Sequence, residues 1–420
     1  MEGFAFNNGW ALLDQSTNNE VLISALLETK KKIFFWYSHE HSDHFATPLL
    51  KRVNEVGLDI VVLFQNTLDQ RVTSYLKRNN ITAQILRDGE EFELDQKFIF
   101  SLCAWRSGDS LSFLSVEGVS ILNINDCIVS KKEDAQKIKK ILGGSSMHVD
   151  YLFSQFGYAN WEGNEEDKEL RKSSADEKLR RLAIQEQVFE PRFIIPFASF
   201  VFFSHEDNFY INDEQNTPQK LRSSEHLKSI QDQIIFLKPY DQLELTDADD
   251  TVSINKELSK NAENHWNFLF NKIEVFPVTE KKVSIEEIKS DWLRFRSRVF
   301  FKFLGLFQIL EIFRIIKPLT FKLDDLNIYV RLSYLSGLDC YDGDSDWDLA
   351  IKSSVLGFSV KYEFGFDTTL VNGRFRISKE GRNIKAMKFF GAQGLIKNGF
   401  GWNKPIATFF ELFRLAKRED

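Results

Sequence analysis

The sequence predicts a layered α/β domain over residues 1–245, a connector over residues 246–280 and a smaller α+β domain over residues 281–420. Strands and helices alternate through the first half, as they do where helices cover the faces of a sheet. Between residues 245 and 280 the composition shifts to Asp, Asn, Glu and Lys with scattered aromatics, which marks a boundary. A loop at the end of one strand also holds three of the chain's seven histidines.

Residues 33–37 form an apolar run that reads as a strand, and Thr47-Pro48 after the histidine loop reads as a helix cap with proline at the first helical position. Residues 58–64 form an apolar run broken only by Asp59, as in a strand buried on both faces, and residues 67–78 follow with helical spacing. Three short runs, 98–103, 111–116 and 119–124, are separated by Gly108 and Gly118 and predict a meander of antiparallel strands. A charged helix over 131–142 and strands over 149–156 and 193–200 complete the pattern. Residues 165–188 carry Leu170, Leu179, Leu182 and Ile184 in a narrow stripe, the mark of a solvated surface helix; a lid over the site is the alternative.

A chain of 420 residues with 43% apolar content is ample for two cores. Cys103, Cys127 and Cys340 make an odd, sparse set without a CxxC pair, which suits a reducing cytoplasm. A net charge of −7 argues against general nucleic-acid binding. No secretory leader pattern opens the chain, and the apolar stretch over 303–310 is far too short for a transmembrane segment.

The loop Ser38-His39-Glu40-His41-Ser42-Asp43-His44 has metal-ligand density. At an extended strand end, residues two apart point the same way, so His39 and His41 converge on one ion while the following turn swings Asp43 and His44 toward a second. The order His-x-His-x-Asp-His after a buried strand resembles the metallo-β-lactamase superfamily. The stretch from Gly3 to Leu13, Gly-Phe-Ala-Phe-Asn-Asn-Gly-Trp-Ala-Leu-Leu, resembles the branch related to the non-Rieske part of CMP-N-acetylneuraminate hydroxylase and to the sugar-phosphate lactonases. That branch normally has a strand ending in Asp-Pro-Trp before this phrase, so the expectation is a domain whose first strands are truncated.

The resemblance implies an αββα sandwich, two sheets between helices, and further ligands at strand ends on the same rim. In Asn123-Ile124-Asn125-Asp126-Cys127 the family position of the bridging aspartate falls on Asp126, whose alternative role is a turn or cap. The last family ligand is a histidine after a late strand, which selects His205; Asn208, Asn212 and Asn216 nearby would also suit a substrate loop. His148 precedes its strand and belongs on the opposite rim, and His226 and His265 lie in polar, helix-like surroundings. The superfamily histidine between His44 and Asp126 is missing, and the segment 103–110 offers Cys103 or Asp109 in its place. One metal site would therefore hold His39 and His41, and a fuller one Asp43, His44, Asp126 and His205.

Such a set activates water, with Asp43 or Asp126 as the proton-accepting catalytic residue. Zinc is the expected cofactor and points to hydrolysis of an ester, lactone, amide or phosphodiester in a small-molecule substrate; iron or manganese are the other divalent ions considered. Iron would make an oxygenase with a separate electron donor, since no Rieske-type Cys/His motif is present. A non-catalytic metal-binding protein that kept the fold is the third reading. The sequence leaves substrate and oligomeric state open.

In the C-terminal region, residues 352–358 and 364–375 alternate like strands joined by a turn and resemble sterol-carrier-like α+β domains. The acidic run from Asp342 to Asp348 lacks the glycine and glutamate of a calcium loop and reads as a solvated turn. Over residues 292–317, Phe295, Val299, Phe303, Leu306, Leu310 and Phe313 recur at helical spacing among Arg294, Arg296, Arg298, Lys302 and Arg314. Burial of that face is expected; peripheral contact with an anionic membrane is the alternative.

Overall fold

The computed structural model describes residues 3–105, 108–245, 249–341 and 346–416. Its centre is a pair of sheets in face-to-face contact. The first is parallel, in the order Ile33–Trp36, Ile60–Gln65, Thr82–Leu86. The second has six strands in the order Phe193–Pro196, Tyr151–Ser154, Val119–Asn123, Ser110–Val116, Phe98–Ala104, Phe92–Asp95. Its Phe98–Asn123 portion is the expected antiparallel meander, and the next two strands add on in parallel.

Strand alternation builds the layers. In Ile60–Gln65 the side chains of Val62 and Phe64 point to one face and that of Leu63 to the other. Val62 and Phe64 pack with Leu50, Val53, Val72 and Leu76 of the helices Thr47–Glu55 and Arg71–Arg78. Leu63 and Leu86 meet Phe100 and Leu102 of the six-stranded sheet between the layers, with the Trp36 and Phe100 rings 6.2 Å apart. The far face of that sheet carries Leu111, Leu122 and Leu152 against Ala135, Ile138, Leu179 and Leu182 from the helices Lys132–Leu142 and Lys168–Phe189. Helix, sheet, sheet and helix follow in order, the αββα arrangement expected. The second of these helices is not wholly solvated: Arg171, Ala175, Leu179, Leu182, Gln185 and Phe189 form a buried face.

Beside the sandwich, Phe4–Ala5, Trp10–Leu12 and Val201–Phe203 make a small antiparallel sheet. The C-terminal part has a five-stranded sheet in the order Gly337–Tyr341, Ile328–Ser333, Leu319–Leu323, Leu349–Ile351, Phe375–Ile377, with the third and fourth strands parallel. Its core is continuous with the small sheet: Ala5, Trp10, Trp161, Val201, Phe203 and Ile211 join Trp292, Phe321, Val355 and Phe375 in one apolar cluster. The Trp161 and Phe375 rings stack at 5.0 Å.

The structure differs from the sequence reading at several places. Most of the connector is the helix Asp249–Phe270, whose Ala262 and Trp266 are buried in the sandwich's outer core. Residues 352–358 and 364–375 are mainly the helices Ser353–Lys361 and Gly365–Asn372, not a hairpin. Short apolar runs do not separate helix from strand by pattern, and here Ser359 and Thr369 join the two helices through a 2.6 Å hydroxyl contact. Thr47 begins its helix, and Ala46 holds the cap position without a side-chain bond. The run 292–317 breaks at Leu304-Gly305, both left-handed, into the helices Ile285–Phe303 and Leu306–Ile312. Phe295, Val299 and Phe303 are buried as expected, whereas Phe313 is 72% exposed. In the acidic run, residues 342–345 lie outside the described residues, but Asp348 is fully buried against Arg382 and Lys385 and is no solvated turn residue.

Leu63 tests the sheet-to-sheet contact. Leu63→Ala is expected to cost about 2–5 kcal/mol by urea denaturation, against less than about 0.5 kcal/mol for Leu293→Ala at an exposed helix position.

Candidate metal centre

The histidine loop begins where the parallel strand Ile33–Trp36 runs out of partners; Tyr37 N still reaches Leu63 O at 3.1 Å. Ser38 then fixes the turn. Its carbonyl accepts from Gln65 Nε2 at 2.7 Å and from Ser110 Oγ at 2.9 Å, and its hydroxyl accepts from Asn125 Nδ2 at 2.6 Å. The segment is a loop rather than an extended strand end, closed by Phe45 N to His41 O at 2.7 Å. His39 and His41 lie ring to ring at 4.3 Å, while His41 Nε2 faces the Lys397 ammonium at 3.1 Å.

His39 and His44 turn inward and meet Asp126. His44 Nε2 lies 3.0 Å from Asp126 Oδ2 and 3.3 Å from Asp43 Oδ2, while His39 Nε2 lies 3.8 Å from Asp126 Oδ2. One donor atom each from His39, His44 and Asp126 falls within 4.8 Å of the others. Asp126 arrives there because Asn125 takes a left-handed φ of 52°, a conformation asparagine tolerates, and donates its backbone N–H to Asn123 Oδ1 at 2.9 Å. Gln155 Nε2 donates to the other oxygen of Asp126.

Two atoms show that this group fits a metal ion. Among the described residues His39 Nε2 and Asp43 Oδ1 are buried without a hydrogen-bond partner, an arrangement that costs free energy unless something else is bound. His39 Nδ1 faces Ser38 Oγ at 3.0 Å and Asp109 Oδ1 at 3.2 Å, so a proton on Nδ1 leaves the Nε2 lone pair free, the usual state of a ligating imidazole.

Electrostatics separate the imidazoles. Burial, reinforced by His41, His44 and Lys397, holds His39 neutral far below the usual imidazole range. Burial would also lower His44, but its bonds to Asp126 and Asp43 outweigh that and raise it to about 10. His41 is lowered by burial and by Lys397, whose ammonium nitrogen stands 3.1 Å from His41 Nε2. Lys397 is itself buried and also meets Glu40 and Asp367, each at 3.3 Å. Burial, with Asp126 nearby, pushes the Asp109 carboxyl up to about 7.

Asp109 thus stands on the rim where a histidine is missing, behind His39. Cys103, the other candidate, is buried with its thiol pushed up to about 12 by burial and by Asp88. His205 lies in a second group with Asp207 and Glu280, whose donor atoms also fall within 4.8 Å of one another; its Nδ1 accepts from Asp207 N at 3.1 Å, and Lys352 and Arg374 pair with the two carboxylates. His148 pairs with Asp150, His226 with Asp176 and His265 with Asp14. Sequence reasoning missed Lys397 and Asp367, which lie more than 300 residues from the loop and carry no local signal.

A cavity of about 1070 Å³ opens beside the centre. His41, Asp109 and Lys397 line its inner end; Phe45, Tyr75 and Phe364 are among its apolar walls. Both parts of the chain contribute, since Phe364, Asp367 and Lys397 belong to the C-terminal region.

No protein-family model matches the chain, and a search of curated proteins finds no match. Among solved structures it is similar to a variant of the CmlA beta-hydroxylase (12% identity, TM-score 0.31), covering 39% of this chain and 36% of that one. It is also similar to the metallo-beta-lactamase fold protein YhfI from Bacillus subtilis (12%, TM-score 0.33), covering 50% of this chain and 78% of that one. A third is human tRNase Z, short form (13%, TM-score 0.28), with 41% and 76% covered. The chain spans about a third of the CmlA protein. The site itself is defined by this chain's own residues.

Ion binding requires His44 to give up its proton. Below its raised pKa the apparent affinity for zinc should therefore rise about tenfold per pH unit, with about one proton released per ion near pH 7. Calorimetry in buffers of different ionisation enthalpy measures that proton; no release would place His44 outside the ligand set.

Proposed function

We propose that this chain is a metal-dependent hydrolase of the metallo-β-lactamase superfamily, with one divalent ion, zinc in the first instance, held by His39, His44 and Asp126. The observation that carries the reading is the convergence of those three groups around a buried imidazole nitrogen without a protein partner, beside a cavity of substrate size. When bound, such an ion lowers the pKa of its water to about 7 and polarises a carbonyl or phosphoryl oxygen.

The remaining work falls to the protein's side chains. Asp109 lines the cavity, and burial with Asp126 nearby pushes its carboxyl up to about 7, which suits it to proton transfer. Asp43 holds His44 in orientation at 3.3 Å. Lys397 presents a fixed positive charge at the inner wall, where it stabilises negative charge developing on an ester, lactone or phosphodiester. Phe45, Tyr75 and Phe364 supply apolar surface for the rest of a small-molecule substrate.

A second reading has its own support. Two histidines and one carboxylate are also the donor set of non-haem iron oxygenases. That alternative is an iron-dependent hydroxylase with a separate electron donor.

Asp43→Ala is expected to abolish turnover in a screen of ester, lactone and phosphodiester substrates while leaving the fold intact. Asp109→Asn should lower kcat by about 10²–10⁴ and remove the pH dependence near 7. An unchanged rate and profile in Asp109→Asn would count against the proton-transfer role. Oxygen consumption by the iron-loaded protein, without hydrolysis, would favour the hydroxylase.

A further inference from the structure

A run of exposed apolar side chains among the described residues lies far in sequence from the metal loop. It comprises the end of helix Ile285–Phe303, the helix Leu306–Ile312 with the turn after it, and the helix Pro405–Ala416. Phe301, Phe313, Ile406 and Phe409 are 75%, 72%, 74% and 66% exposed. The helix Pro405–Ala416 already has a core-facing side, with Thr408 and Leu412 buried, yet Phe409, Phe410 and Phe413 face solvent. A helix that is apolar on both sides is ordinarily covered on both. The three pieces are joined: Trp402 N donates to Lys302 O at 3.1 Å, and the two earlier helices meet at Leu304-Gly305.

Charge identifies the cover. Residues 300–317 and 402–414 hold five basic side chains, Lys302, Arg314, Lys317, Lys404 and Arg414, in a protein whose net charge is −7. Of their two acids, Glu311 is buried on Ser333 and Tyr334, and Glu411 pairs with Arg414. Exposed aromatics ringed by Lys and Arg are what an anionic bilayer surface accepts, whereas the same face on a second copy would set like charges together. Among the described residues no helix is long and apolar enough to cross a membrane, so the contact is with the surface.

We infer that this face docks the protein on anionic lipid bilayers. Lys404 Nζ donates to Leu68 O at 3.2 Å, and Asp69 next to it lines the cavity, so the docking face stands beside the rim of the candidate site. The inference does not depend on the hydrolase reading, because it rests on other residues.

Flotation of the full chain with vesicles tests it. At low salt the protein is expected to float with phosphatidylcholine vesicles containing phosphatidylglycerol and much less with phosphatidylcholine alone. The double variant Phe313→Asp/Phe410→Asp should bind the anionic vesicles at least roughly tenfold less, with its thermal unfolding unchanged. Arg314→Glu/Lys317→Glu should lose roughly tenfold as well, and only on the anionic vesicles. Wild-type protein that stays at the bottom of both gradients overturns the inference. So does a stable dimer in light scattering that the phenylalanine variant dissociates, since a second copy would then cover the face.

Discussion

The centre depends on the way Ser38 is held. Its carbonyl and hydroxyl are tied to Gln65, Ser110 and Asn125, residues from a parallel strand, the meander and the turn before Asp126. Each bond has a modest net value of about 1 kcal/mol, but together they leave the next residue little freedom. His39 is therefore driven into the protein, where its Nε2 is left without a partner. On the proposed reading the unsatisfied atom is the cost of a site prepared before an ion arrives, and the neighbouring carboxylates would make binding favourable.

The C-terminal region is part of this construction. Its sheet shares an apolar core with the first strands, and Lys397 brings a buried ammonium to His41. Lys397 stands at the Nε2 atom that His41 would offer to an ion, while the His41 ring stays 4.3 Å from that of His39.

Much of this was legible from the sequence. The αββα layers follow from continuous and alternating apolar runs, and the histidine loop and Asp126 stand out as ligand types at strand ends. Where the reading and the structure part, the causes are specific. Ser353–Lys361 is too short and too evenly apolar for its period to show, and His205 follows a strand as a ligand would, yet it pairs with acids that Arg374 and Lys352 neutralise. The geometry of His39 and His41 depended on the loop's hydrogen bonds, which local spacing does not encode. Lys397 and Asp367 reach the site through tertiary contacts alone.

The proposed centre holds a single ion on His39, His44 and Asp126. Metal analysis by mass spectrometry of purified wild-type, His44→Ala and His205→Ala proteins tests it most directly. About one equivalent is predicted for wild type and for His205→Ala, and less than about a tenth for His44→Ala. Two equivalents in wild type, or loss of the ion in His205→Ala with its fold intact, would contradict it.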